Sequence, residues 1–201
     1  RRATALATVQ AAEQAAGHTL AVWLTLPVAT DGLTATGKAV VTAMLDAHVT
    51  LAGVNALTMD YGQPVPAGQT MATVAERSLS ALNGQLGSLY SAHGTTLSSE
   101  QLWQHIGATP MIGQNDTPSE RFEIADAREL LSFAQAHHLR RLSMWSLNRD
   151  QTCGPNYANV EIVSDACSGV SQTTAQFAGI FAAFVGSAPA PTNVTPSSSG
   201  A

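Results

Sequence analysis

The stretch Val54–Gly62, VNALTMDYG, joins a strand-like segment to polar groups at its carboxyl end. Its first six residues, VNALTM, are mostly apolar or small, which is the composition of a strand in a sheet core. An acid and a phenol, Asp60 and Tyr61, follow at once. Because α/β folds place their active sites at the carboxyl ends of the strands, this stretch predicts both a core strand and a candidate site.

Helical and strand-like segments alternate on both sides of this stretch. The predicted strands are Leu20–Val28, Val54–Met59, Gly107–Gly113 and Arg141–Leu147. The predicted helices are Arg1–Ala16, Thr36–His48, Met71–Ala92, Ser98–His105, Asp126–Leu139 and Thr173–Val185, with Ser98 and Gln101 placed for a capping box. This alternation predicts a parallel α/β architecture, and the lack of an internal repeat argues against a solenoid.

Composition and charge exclude several classes of function. The chain has 201 residues, which is enough for one domain with a core, and only 11% are charged against roughly 25% in soluble domains. A net charge of −5 argues against a nucleic-acid-binding surface, which requires clustered Lys and Arg. No apolar run approaches the ~20 residues of a membrane span. The scattered histidines do not supply a metal site, and no cofactor is predicted.

The two cysteines, Cys153 and Cys167, flank a loop rich in Gly, Pro and Asn. We predict a disulfide between them, and two free buried thiols are the alternative. Closing a loop of this length would contribute about 3 kcal/mol in the chain-entropy model. A disulfide would also indicate an oxidising, extracytoplasmic setting.

Both ends of the chain suggest a longer protein. The chain opens on Arg1-Arg2 without a methionine, from which we expect a piece or a processed form of something longer. Residues Gly186–Ala201 are rich in Pro, Ser and Thr and lack a hydrophobic period. Such a composition predicts an interdomain linker, and a frayed terminus is the alternative.

Polar and aromatic residues follow the predicted strands. Asp60 and Tyr61 follow the second strand, Asp116 follows the third, and Trp145 lies on the fourth, before Asn148–Asp150. Carboxylates match sugar hydroxyls and an aromatic face packs on a pyranose ring, so these residues predict a sugar-binding rim. The structural alternatives are a turn or helix cap for each acid, a lid for Tyr61, a core position for Trp145 and an ion-pair network for Asn148–Asp150.

Four segments carry a family resemblance. They are LTMDYG (57–62), TPMIGQND (109–116), EIADARELLSFAQAHHLRRLSMWSLNRD (123–150) and CSGVSQTTAQFAGIFAAF (167–184). In order and spacing they resemble the carboxyl-terminal half of bacterial and archaeal chitinases of glycoside hydrolase family 18. The resemblance extends over 1–185 and implies a TIM (β/α)8 barrel, of which this chain would hold helix 4 and strands and helices 5 to 8. Residues 186–201 would form the linker.

The resemblance implies a retaining, substrate-assisted hydrolysis of β-1,4-linked N-acetylglucosamine polymers. In this mechanism the acetamido oxygen of the substrate attacks the anomeric carbon, and an enzyme glutamate protonates the leaving oxygen. That glutamate ends a D-x-x-D-x-D-x-E signature, which does not occur in this chain. We therefore expect part of a secreted chitinase that acts on chitin or its oligosaccharides and is inactive as this chain alone.

The resemblance also assigns roles to single residues. Asp60 would orient the acetamido group and stabilise the positive charge of the oxazolinium intermediate, with the Tyr61 hydroxyl within reach of the same sugar. Met59 would pack under the sugar, Asp116 would line the cleft, and Trp145 would form the floor of the subsite. Relatives of this type often carry a disulfide in the loop of Cys153 and Cys167. Their linkers lead to a carbohydrate-binding module.

The sequence leaves two alternatives open. Family 18 also contains non-catalytic, lectin-like proteins that bind chitin or other carbohydrates, and the signature that separates them from the enzymes lies outside this chain. A self-standing half-barrel that dimerises would also cover two open sheet edges.

Overall fold

The computed structural model describes residues 1–157 and 159–184. The helices in this part are α1 (Arg2–Ala15), α2 (Ala35–Asp46), α3 (Met71–Ala92), α4 (Ser99–Trp103), α5 (Ile124–Ala136) and α6 (Gln176–Phe181). The strands are β1 (Val22–Ala29), β2 (Gly32–Leu33), β3 (Leu51–Leu57), β4 (Ile106–Thr109), β5 (Gly113–Gln114), β6 (Arg121–Phe122) and β7 (Arg141–Leu142). The predicted linker and Val185 lie outside the described residues.

The central sheet has the strand order β2-β1-β3-β4-β7. β1, β3, β4 and β7 pair in parallel, and β2 folds back antiparallel on the end of β1. β5 and β6 form a separate antiparallel hairpin. Because a helix follows each of the four parallel strands along the chain, the predicted α/β class and its β/α alternation are confirmed.

Two strands are shorter than the sequence predicts. β4 ends at Thr109 rather than at Gly113, and β7 ends at Leu142 rather than at Leu147. The predicted extents are wrong because Pro110 has no N–H group with which to continue the ladder. Among the helices, α3 has the predicted bounds, whereas α6 covers only Gln176–Phe181 of the predicted Thr173–Val185.

One face of the sheet, here called the helix face, packs on the helices and forms the core. It carries Leu24 on β1, Val54 and Ala56 on β3, and Ile106 and Ala108 on β4, all buried. Leucines spaced along α3 lie in the same cluster, including Leu79, Leu82 and Leu86. Burying a leucine fully stabilises the fold by about 2 kcal/mol, so this face holds the sheet to its helices.

The opposite face, here called the open face, is polar and partly exposed. Its members alternate with the core residues and pair across the strands, for example Trp23 with Gly53, and Thr25 with Asn55. Thr25 and Arg141 are exposed, and Trp23 is half-buried. The Arg141 guanidinium lies 4.1 Å from the centre of the Trp23 ring. Within the described residues the open face therefore has no apolar layer comparable to the one on the helix face.

Candidate active site

The candidate site lies where the parallel strands end. Because β1, β3, β4 and β7 run in one direction, the segments that follow them leave from one edge of the sheet. The loop after β3 contains Met59, Asp60 and Tyr61, and the segment after β4 leads to Asp116. An isolated parallel bridge between Met111 and Trp145 extends the pairing of these segments beyond β7.

Asp60 occupies a strained turn at this edge. Its φ of +48° is in the left-handed region, which costs a residue with a side chain about 1 kcal/mol. One oxygen of its carboxylate, Oδ1, accepts a hydrogen bond from the backbone N–H of Thr117 at 3.2 Å. The half-buried carboxylate is thus tied to the loop between β5 and β6, and its position is set by tertiary contacts rather than by its own strand.

Glu120 holds the same turn from the other side, and the sequence did not reveal it. Its Oε2 accepts from the N–H of Tyr61 and its Oε1 from the N–H of Gly62, both at 3.1 Å. The residue is completely buried. Burial raises the pKa of Glu120 above its ordinary value, the two N–H bonds oppose this rise, and the charge of Asp60 adds to it.

The Tyr61 hydroxyl is buried rather than presented at the surface. Among the described residues no group meets hydrogen-bond geometry with it, and the nearby Ser78 hydroxyl donates to the carbonyl of Ala29 at 2.7 Å. Burial and the charge of Glu120 raise the pKa of Tyr61, so the phenol stays neutral. A direct contact with a sugar requires that this hydroxyl become accessible.

The segment before Asp116 is anchored by two buried amides. The Asn115 Nδ2 group donates to the carbonyls of Met111 and Gly113, both at 3.0 Å. The side chain of Gln114 donates to the carbonyls of the same loop, including that of Glu120 at 3.2 Å. Asp116 itself is exposed. The amides therefore shape the loop, and the carboxylate that follows them faces solvent.

Trp145 is an exposed aromatic on a fixed backbone. Its side chain is 54% exposed, so the alternative of a core position is wrong. Its backbone N–H donates to the carbonyl of Pro110 at 2.8 Å, and its backbone carbonyl accepts from the N–H of Ile112 at 2.9 Å. Met59 is half-buried at the same edge. The ring of Trp145 is thus available for stacking at the end of the sheet that carries Asp60.

Arg149 and Asp150 are structural. Arg149 is completely buried and donates from Nη2 to the carbonyl of Ile112 at 3.0 Å and to that of Gln114. Asp150 accepts from the N–H groups of Phe177 at 3.0 Å and Ala178 at 2.8 Å, at the start of α6. The predicted ion-pair network is therefore wrong for this pair, because Arg149 bonds to backbone carbonyls and Asp150 to backbone N–H groups and to the side-chain amide of Gln172.

The predicted disulfide between Cys153 and Cys167 is confirmed. Their Cα atoms are 5.0 Å apart, and the bridge spans a separation of 14 residues. It closes the loop that follows Trp145 and Arg149, before the chain enters α6. The disulfide therefore restricts one border of the candidate site.

The rest of the described chain has a cavity but neither a cluster of metal-ligating side chains nor a membrane-spanning helix. Within residues 1–157 and 159–184 no group of three or more His, Cys, Asp or Glu side chains could hold a metal ion. No helix described there has the length and apolar character needed to cross a bilayer. An open cavity of about 410 Å³ lies between α4 and α5, with Trp103 and His137 in its lining. It is formed by helices rather than by strand ends, so it does not belong to the site.

Proteins of similar sequence are chitinases. A probable bifunctional chitinase/lysozyme of Escherichia coli (strain K12) is 35% identical over 162 residues, which are 78% of this chain and 18% of that protein. Endochitinase 11 of Metarhizium anisopliae is 35% identical over 156 residues, or 75% of this chain and 29% of that protein. The chain thus spans less than a third of the length of these curated relatives. No family model matches it.

Solved structures of a chitinase from Pyrococcus furiosus share the fold. Its catalytic domain superposes with a TM-score of 0.76 at 27% identity, covering 94% of this chain and 59% of that chain. A catalytic-site mutant of its active domain 2, complexed with chito-oligosaccharides, gives a TM-score of 0.75 at 28% identity. Fold and sequence together define an α/β domain of the glycoside hydrolase type. The chain belongs to the chitinases of glycoside hydrolase family 18.

Proposed function

We propose that this chain is the carboxyl-terminal half of a chitinase barrel, with helix 4 and strands and helices 5 to 8 in residues 1–185. Parallel sheets are normally covered on both faces, yet the open face here exposes Thr25 and Arg141. The chain also corresponds to 59% of a solved chitinase catalytic domain. Strands 1 to 4 of a complete barrel would enclose the open face.

The intact protein would hydrolyse β-1,4 bonds between N-acetylglucosamine units with retention. The observation that carries this proposal is a carboxylate fixed in a left-handed turn, Asp60, at the sheet edge that also presents the exposed ring of Trp145. A fixed carboxylate stabilises positive charge that develops at a neighbouring atom without reorganising during the reaction. An aromatic face binds the apolar face of a pyranose.

We take the roles of the single residues from the family resemblance. The acetamido oxygen of the bound sugar attacks the anomeric carbon and forms an oxazolinium ion, and the bond to the leaving oxygen breaks as that oxygen receives a proton. Asp60 lies beside the acetamido group and stabilises the cation. Met59 and Trp145 support the sugar ring, Asp116 lines the cleft, and Tyr61 packs beside Asp60.

The proton donor would come from outside this chain. A substrate-assisted reaction needs one acid on the leaving oxygen, and the D-x-x-D-x-D-x-E signature is absent from the sequence. We therefore expect the isolated chain to bind chitin oligosaccharides without cleaving them.

We also propose that the protein is secreted. The disulfide between Cys153 and Cys167 is of the kind that persists in oxidising compartments. The Pro/Ser/Thr-rich residues 186–201 suit a linker to a carbohydrate-binding module, which would hold the enzyme on insoluble chitin.

Calorimetric titration of the purified chain with the tetrasaccharide of N-acetylglucosamine tests the proposal. Trp145→Ala should weaken binding by at least about tenfold, because a tryptophan that a ligand covers on binding typically contributes at least this much to the affinity. Leu147→Ala is the matched control, because this neighbouring side chain is 71% exposed and apolar but has no assigned contact with the sugar. Equal losses in the two variants would contradict a specific stacking role for Trp145.

Hydrolysis assays separate the enzyme from a lectin-like protein. The chain alone should release no reducing ends, whereas the chain joined to the preceding part of its reading frame should release them. Binding without hydrolysis in the longer protein would favour the carbohydrate-binding alternative. Hydrolysis by the 201-residue chain would show that a proton donor lies within it and would overturn the mechanism.

A further inference from the structure

The strand-end loop that carries Asp60 is held by a second acid, Glu120, which lies outside the four segments that carry the family resemblance. Glu120 lies far along the chain, yet both of its carboxylate oxygens accept backbone hydrogen bonds from Tyr61 and Gly62, at 3.1 Å each. Successive N–H groups that converge in a turn form a concave anion-binding site. In this molecule the anion that fills it belongs to the protein itself.

The contact between the two loops is reciprocal. The N–H of Thr117, on the loop of Glu120, donates to Asp60 Oδ1 at 3.2 Å. Glu120 donates its own N–H to the carbonyl of Thr117 at 2.9 Å, and its carbonyl accepts from the N–H of Asn115 at 3.0 Å. Each carboxylate therefore fixes the backbone of the other loop, and the backbone around Glu120 is itself hydrogen-bonded.

Burying the Glu120 carboxylate here costs folding free energy, so a purely structural role does not explain it well. Glu120 is completely buried next to a second carboxylate, and both burial and the charge of Asp60 disfavour its ionised form. An apolar side chain of similar size would avoid both penalties. It could not, however, accept hydrogen bonds from the turn that places Asp60 in its left-handed conformation.

We propose that Glu120 is a positioning residue of the sugar site, which holds the turn Asp60–Gly62 through two N–H bonds and thereby fixes the Asp60 carboxylate for the acetamido group. This role rests on the proposed function. Glu120 does not touch the substrate, and it acts through the backbone of residues 60–62.

The test compares Glu120→Gln with Asp126→Asn in the full chain. The glutamine keeps the shape but only one acceptor oxygen, so one of the two N–H groups meets an amide NH2. Asp126 is the matched control, because its carboxylate is 4% exposed and accepts from the N–H groups of Ala72 at 2.9 Å and Glu123 at 2.7 Å. These partners lie at the starts of α3 and α5 rather than in the loop of Asp60.

We expect Glu120→Gln to weaken binding of the tetrasaccharide by about tenfold, the value of one hydrogen bond to a charged group. Asp126→Asn should leave that affinity within about twofold although it also removes a buried acceptor. In amide hydrogen exchange, Tyr61 and Gly62 should lose protection only in Glu120→Gln.

A double-mutant cycle shows whether Glu120 acts through Asp60. In an Asp60→Ala background, Glu120→Gln should cause no further loss of affinity, because there is no carboxylate left to position. Additive losses would overturn the inference, and so would equal affinities of the unsubstituted chain and Glu120→Gln. An unsubstituted chain that does not bind the tetrasaccharide would instead refute the proposed function itself, and the role of Glu120 at the site with it.

Discussion

The two faces of the sheet are built from different chemistry. The helix face presents Val54, Ala56 and Ile106, each at most 1% exposed, to a layer of leucines on α3. The open face presents a hydrogen-bonded pair, Asn55 and Thr109, beside exposed polar side chains. Since apolar burial drives folding, the helix face accounts for most of the stability available to this chain alone. The composition of the open face is that of a surface that a further part of the protein would cover.

The largest expected effect separates the two faces directly. Leu82 on α3 is completely buried. Leu82→Ala should therefore lower the free energy of unfolding by about 3 kcal/mol, since it leaves a cavity in the core. Leu57→Ala, at a half-buried position of the open face, should cost less than about 1 kcal/mol. Urea denaturation of both variants measures the difference. Similar losses would mean that the open face is packed as tightly as the helix face.

A smaller effect distinguishes buried from exposed acids at the strand ends. Asp150→Ala should lower the free energy of unfolding by about 2 kcal/mol, because it removes the acceptor of two N–H groups at the start of α6. Asp116→Ala should change it by no more than about 0.5 kcal/mol, since that side chain is exposed. Thermal melts followed by circular dichroism would show the contrast. If Asp116→Ala lowered the free energy of unfolding more than Asp150→Ala, our assignment of Asp150 as structural and Asp116 as functional would be wrong.

The smallest expected effect is a change in stability with pH. Burial raises the pKa of Glu120, so folding favours its protonated form. The stabilising contribution of a group with a raised folded-state pKa is complete at low pH and is lost as the pH rises through that pKa. The stability of the unsubstituted chain relative to Glu120→Gln should therefore fall as the pH increases from about 4.

The measurement is a series of urea titrations of both proteins at several pH values. Using the difference between them cancels the titration of every group that does not interact with Glu120. A difference that grows with pH would show that the N–H bonds from Tyr61 and Gly62 outweigh burial.

Several features were predictable because their causes are local. The capping box at α4 joins Ser98 and Gln101, three residues apart, and was confirmed. The apolar spacing along α3 and the runs of β1 and β3 follow from helix and strand periods. The disulfide was predicted from composition and spacing, and it is present. Such features can be predicted because the residues that cause them lie close together in the sequence.

Other features were missed because their partners are distant along the chain. Glu120 bonds to backbone N–H groups at Tyr61 and Gly62, and nothing in its own neighbourhood marks it. Asp150 reaches α6 in the same way. Backbone donors carry no side-chain identity, so no motif in the sequence can point to them.

By itself the sequence determined the class of this fold, the family, and the positions of the acid and the tryptophan that define the candidate site. Alternating apolar periods and short motifs carry that information within a few residues. Only the tertiary structure decided that Trp145 is exposed, that the Tyr61 hydroxyl is buried, and that Glu120 accepts hydrogen bonds from the turn of Asp60. The physical reason is that exposure and hydrogen-bond partners depend on which distant segments pack together, and local composition does not encode that packing.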